Sequence, residues 1–203
     1  MTKLAFTLPL ALATLAAACS DDGGTTNAEE VINTITVTFT PAAGAPRVAV
    51  WNDADGDGGA APTIDSIGLL AGTTYATTVR FQNTLEAPPE EITDEVSDEG
   101  DQHQVFFTGT AVNGPASNQP TAALTHTYGD VDVGGLPIGL TNTIVVASGA
   151  GGDLVLTLRH LPPVNGTPVK TAAAAMTVRD SGFTALGGEN DAQVTFPVAI
   201  AAP

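Results

Sequence analysis

The residues with the clearest potential for chemistry sit in one short loop. Asp53, Asp55 and Asp57 alternate with Ala54, Gly56 and Gly58. Carboxylates at positions one, three and five match the first half of an oxygen-ligand calcium loop, and the glycines permit a sharp turn. At the twelfth position, where such a loop carries a glutamate, stands Ile64, and Asp65 falls one place late. The spacing excludes an EF-hand. It leaves a looser calcium loop, completed by Asp65 or by residues elsewhere, with a dissociation constant on the order of 10⁻⁴–10⁻³ M. The competing reading is a solvated hairpin tip, because Asp-Gly is good turn chemistry.

The histidines are the second candidates. His103, His126 and His160 each fall on the apolar parity of a predicted strand. As ligands they point to a transition metal, with the acids of residues 90–101 close to His103 and favouring the charged form of a neighbouring imidazole. No two of them share a short ligand spacing. Partly buried structural histidines account for the same pattern.

Catalytic motifs are missing. The chain has no Gly-x-Ser-x-Gly and no Ser-x-x-Lys, and its single cysteine lies at position 19. Gly149 to Gly152 is not followed by the Lys-Ser/Thr of a phosphate loop. The expectation is a protein without enzymatic activity.

Cys19 and the residues before it carry an address. Lys3 opens a short charged region, Leu4 to Leu15 is mostly apolar, and Ala16-Ala17-Ala18 precedes the cysteine. This is the layout of a removable export signal. It is shorter than the about 20 apolar residues a spanning helix needs. Cys19 looks like the lipidation site of a bacterial lipoprotein, although Leu15 stands one place further from it than that pattern has. The other reading is cleavage after Ala18 and plain periplasmic or secreted release. Ser20 to Asn27 reads as a polar, acidic tether. The expected layout is a signal peptide over 1–18, a lipidated cysteine and tether over 19–30, and one domain over 31–203.

Without residues 1–18 the chain sets five basic residues against 22 acidic ones, a net charge of −17. Such a surface repels nucleic acid and anionic headgroups and suits cations or solubility in salt.

The elements that must hold these residues read as β-strands. Val31 to Thr40 alternates, with Ile35, Val37 and Phe39 against Thr34, Thr36 and Thr38. Thr73 to Gln82 does the same with Tyr75, Val79 and Phe81. Further strands are expected over Arg47 to Trp51, Thr63 to Leu70, Gln102 to Gly109, Thr121 to Tyr128, Leu140 to Ala147 and Asp153 to Leu161. One short acidic helix is expected after Pro88-Pro89, with Ile92 and Val96 four apart and Gly100 at its end. Val169 to Val178 is assigned to an edge strand, although its alanines also allow helix. Gln193 to Ile200 closes the chain, and Pro197 places that strand at an edge or facing out at that point. Eight to ten short strands predict an all-β fold, an immunoglobulin-like sandwich, with a small barrel as the alternative.

The leader with Cys19, the Trp51-x-Asp53-x-Asp55-Gly-Asp57-Gly-Gly59 loop, the acidic helix running into Gln102-His103-Gln104-Val105-Phe106-Phe107 and the terminal Val194-Thr-Phe-Pro-Val198 together resemble a group of small surface lipoproteins of Gram-negative bacteria. Members often carry the label of the type 1 periplasmic binding fold, which implies two α/β lobes; this chain has too few helical stretches to build them. The resemblance implies a membrane anchor through Cys19 at the outer membrane or cell surface. The expected function is a binding module for a small ligand or cation, accessory to an outer-membrane transporter as receptor. The alternative is a structural or adhesive envelope protein with a calcium-stiffened loop.

Overall fold

Strict alternation becomes strict burial. In strand β1 (Thr34–Pro41), Ile35, Val37 and Phe39 are completely buried. In β5 (Thr74–Asn83), Tyr75, Thr77, Val79 and Phe81 point inward and the residues between them point out. Burying one face of each strand on a common core contributes about 1.5–3 kcal/mol per large apolar side chain. The computed structural model describes residues 31–202. Cys19 and the leader lie outside the described residues, as does the side chain of Asp57.

The remaining strands are β2 (Arg47–Asn52), β3 (Thr63–Ile64), β4 (Ile67–Leu70), β6 (Glu90–Glu91), β7 (His103–Thr108), β8 (Val112–Asn113), β9 (Leu124–Tyr128), β10 (Thr141–Val146), β11 (Gly152–His160) and β12 (Glu189–Ala201). They form an all-β sandwich of two sheets. The larger has the order β3-β2-β1-β5-β10-β9-β8, with β6 also paired to β5; the smaller runs β4-β12-β11-β7. One apolar cluster fills the space between them, with Phe39, Phe81, Phe107, Ile144, Leu156 and Phe196 all completely buried. Ile32 and Trp51 pack against its margin, partly buried.

Helix α1 (Ile92–Asp98) is the expected acidic surface helix, and it buries only Ile92 and Val96. The Thr93 hydroxyl accepts from Phe81 N (2.8 Å) and donates to Phe81 O (3.1 Å), which pins the helix to β5.

Three expectations need correction. The stretch 169–178 is not an edge strand: residues Ala174–Ser181 form a second helix, α2. Alanine is the strongest helix former, and Ala174 and Val178, one turn apart, cover Phe106 on the face of β7 opposite to Phe107. Thr63 to Leu70 is not one strand but two in different sheets. The chain crosses between them at Asp65, which exchanges its own N–H with Val50 O (3.0 Å) and accepts the Val50 N–H on Oδ2 (3.0 Å). The last strand is longer than predicted and lies inside the smaller sheet, while Pro197 faces out, the other of the two expected placements. Its pairing with β4 begins only at Val198, so Pro197 sits where β11 is its neighbour on one side and β4 has not yet begun on the other.

Candidate functional site

Asn33 organises the first wall. It is 2% exposed, so its amide must find partners inside the fold. Its backbone carbonyl accepts from Asp53 N (2.8 Å), and its Nδ2 donates to Asp53 O (2.8 Å). Its Oδ1 accepts from Thr84 N (2.6 Å). One side chain thus ties the start of the aspartate loop to the segment carrying Leu85. Asp55 Oδ2 accepts from Ala60 N (3.2 Å) and closes the loop on itself.

The opposite wall is the start of β12. Along β11, Leu158 pairs with Ala192 but Arg159 pairs with Asn190, so Asp191 is the extra residue of a β-bulge. A bulge turns its side chain away from the alternation of the strand. Arg159 holds this bend: Nε donates to Gly187 O (2.8 Å), Nη2 to Gly188 O (2.8 Å) and Nη1 to Asn190 Oδ1 (2.7 Å). Its guanidinium also lies 5.6 Å from the Phe183 ring centre. Gly188 has φ +68°, and a Cβ there would strike the His160 carbonyl, so no other residue type fits the bend without strain.

Between the two walls lies a cleft of about 560 Å³. Asp53, Asp55, Glu189 and Asp191 give it charge; Ile32, Trp51 and Leu85 give it an apolar side. Asp53 Oδ1 and Asp191 Oδ2 are buried oxygens with no hydrogen-bond donor. Both atoms are shut off from solvent, and a buried acceptor without a partner is costly.

His103 Nε2 is another such atom. Its ring is completely buried. Nδ1 lies 3.2 Å from Glu99 O, and a carbonyl only accepts, so the ring proton is on Nδ1. Nε2 then turns a lone pair towards Asp191 Oδ2 at 3.6 Å, beyond hydrogen-bond range. Burial, with the charge of His160, pushes the His103 pKa down to about 4. Burial pushes the Asp191 carboxyl up to about 6, with Arg159 opposing and Glu189 reinforcing. At neutral pH the ring is neutral and the carboxylate charged.

The aspartates of the loop are only partly gathered. Asp53 and Asp55 line the cleft; Asp65 does not, and it serves the sheet crossing. The oxygens that join the loop come from Glu189 and Asp191. The histidines divide as well. His103 and His160 are cross-strand neighbours stacked at 4.6 Å with planes 8° apart. Glu99, His103 and His160 bring ligand atoms within 4.8 Å of one another. Parallel stacked rings, however, send their lone pairs along parallel lines, and a metal ion must lie in the plane of each imidazole that binds it. His126 stands apart in the main core, stacked on Phe107 at 4.3 Å with Nε2 at 2.8 Å from Asn142 Oδ1.

Asn33, Arg159, Glu189 and Asp191 are the members that reading the chain missed. Asn33 had one signal, a polar residue at the head of a cleanly alternating strand. Asp191 had none, because a bulge is not written in local alternation.

Beyond the cleft, Lys170 is 2% exposed, and its Nζ donates to Gly100 O (2.5 Å) and Asp132 Oδ2 (2.8 Å). It joins the segment after α1, the 129–139 loop and the segment before α2.

Compared with known proteins, the chain matches no family model, no curated protein and no solved structure.

Proposed function

We propose that the protein is a lipid-anchored binding module of the outer membrane or cell surface, taking a small ligand or cation in the Asp53–Asp191 cleft. The observation that carries this reading is the cleft itself, which sets Asp53, Asp55, Glu189 and Asp191 beside Trp51, Leu85 and Ile32. The volume of the cleft falls in the range of small-molecule sites, roughly 300–1,000 Å³. The leader and Cys19 supply the anchor, and an outer-membrane transporter is the natural receptor for a captured ligand.

Trp51 is the chain's single tryptophan and lines the cleft, so tryptophan fluorescence, excited selectively over the two tyrosines, reports this site. Titration of the full chain with small cations at constant ionic strength should give a saturable change that Asp53→Asn weakens. A change that tracks ionic strength and ignores that substitution would defeat the proposal.

The second reading, a structural envelope protein with a calcium-stiffened loop, draws on the filled core between the sheets. It expects calcium at ten times its dissociation constant to stabilise the fold by about 1.4 kcal/mol, magnesium to do less, and Asp55→Ala to remove the difference.

A further inference from the structure

We infer that the 129–139 and 161–169 loops are the contact of the domain with the bilayer, Val131, Val133 and Val164 lying among uncharged headgroups while Cys19 holds the chain there. This rests on the lipid anchor of the proposed reading and goes beyond it, since it names the face turned to the membrane.

Three observations carry it. The first is where the loops stand. Strands β1, β7, β10 and β12 start, and β2, β5, β9 and β11 finish, at one end of the sandwich. Both loops leave from that end, after Tyr128 and His160. The chain from Cys19 enters at the same end, because Val31 stands just before β1. Val31 follows Cys19 by twelve residues, a reach of at most about 40 Å. The two loops are therefore at the anchored end.

The second is exposure. Val133 is 100% exposed, Val164 60% and Val131 59%. Among the described residues these are the three most exposed of the large apolar side chains, and all three belong to these two loops. Water gives a valine no reason to stand there. Apolar side chains grouped on one exposed face mark a partner or a membrane.

The third is the withdrawal of charge. The chain has 22 acidic residues, yet the 161–169 loop has none and the 129–139 loop has Asp130 and Asp132 alone. Both are engaged from within. Asp130 accepts from Gly139 N (2.7 Å) and Thr141 N (2.8 Å). Asp132 Oδ1 accepts from Gly134 N and Leu136 N, and Oδ2 from Lys170 Nζ. Lys170 directly follows the second loop, so the buried pair also ties the two loops together. Carboxylates already bonded lose less when water is displaced around them. The tip is preformed as well: Val131 bridges Pro137, and Asp132 N donates to Leu136 O (2.8 Å). Contact then orders little that was free. The acids of α1 at the same end repel anionic headgroups, which selects a zwitterionic surface.

The test uses the full lipidated chain in phosphatidylcholine vesicles. In a Trp51→Phe background, Val133→Trp places the single indole at the tip, and Val48→Trp places it on the outer face of β2. Phosphatidylcholine carrying a nitroxide near its headgroup should quench the indole at 133, with a blue shift of its emission, and leave the indole at 48 unchanged. Thermal unfolding checks that each variant is folded. On the unsubstituted chain, hydrogen exchange over residues 131–136 should be slower on vesicles than in Cys19→Ser in solution. Vesicle-bound chain with both indoles equally quenched, or neither, and with unchanged exchange overturns the inference and leaves the anchor in place. Chain that does not float with the vesicles removes the anchor and the inference together. A blue shift at 133 that grows with protein concentration in the absence of vesicles assigns the valines to a second copy and also overturns the inference.

Discussion

Asp191 Oδ2 and His103 Nε2 face each other at 3.6 Å, and neither atom receives a hydrogen bond. Burial holds Asp191 near pKa 6 against an ordinary 3.8. The folded state therefore binds this proton more readily than the unfolded chain, and stability falls as pH rises from 3.8 through about 6. Asp191→Asn should be more stable than the parent at neutral pH, and the difference should vanish below about 3.8. Urea unfolding across this range measures it. A variant less stable than the parent at neutral pH would show that the ionised carboxylate is not a burden on the fold.

The histidines pull the other way. His103 and His126 are both pushed from 6.5 to about 4 by burial, against the help of the Glu99 carbonyl and Asn142 respectively. The unfolded chain takes these protons first. Their contribution is complete above 6.5 and lost as pH falls through 4. Two groups outweigh the single opposite effect of Asp191, so the protein should lose stability over this window. In a proton NMR titration the His126 ring signals should stay those of a neutral imidazole at pH 5–6. Titration close to the ordinary value would mean the ring is not enclosed between Phe107 and Asn142.

Lys170 and Asp132 form an ion pair with side chains 1% and 2% exposed. Removing one partner leaves a buried charge alone, so Lys170→Met should cost about 3–5 kcal/mol. Burial pushes the Asp132 carboxyl up, but Lys170 and the amides of Leu136 and Gly134 hold it below the ordinary range. The stability it contributes is present above 3.8 and is lost as pH falls through the lower folded value. Chemical denaturation of Lys170→Met settles the first point. A change under about 1 kcal/mol, the worth of a surface pair, would refute burial as the cause.

Arg159 should be irreplaceable by lysine. Its fork reaches Gly187, Gly188 and Asn190 together, and a single ammonium cannot. Arg159→Lys should cost about 1.5–3 kcal/mol, the worth of charged hydrogen bonds. It should open residues 182–190 to limited proteolysis and weaken binding at Asp191. Unchanged cleavage would mean the bulge stands without it.

Cys19→Ser should move the protein from the membrane fraction to the soluble fraction. One buried acyl methylene contributes about 0.8 kcal/mol, and the serine variant carries no acyl chain. If the variant still sediments with outer membranes after a salt wash, lipid at this cysteine is not the anchor.

The β-rich fold was legible in the chain because alternation is local. Ile35, Val37 and Phe39 have no face but the inner one once Thr36 and Thr38 take the other. The acidic helix was legible for the same reason, with Ile92 and Val96 one turn apart behind two prolines. Local chemistry was undecided at Ala172 to Ala175, where alanine tolerates either state, and the uncovered ring of Phe106 decided for helix. Half of the site could be read as well, since Asp53 and Asp55 announce themselves by spacing. The other half depended on pairing over long separations. Leu158 opposite Ala192 and Arg159 opposite Asn190 leave Asp191 without a partner residue and turn it into the cleft. No window of sequence around Asp191 contains Arg159, Asn33 or His103. Burial, which sets the charge of His103 and Asp191, exists only after the sheets have closed on each other.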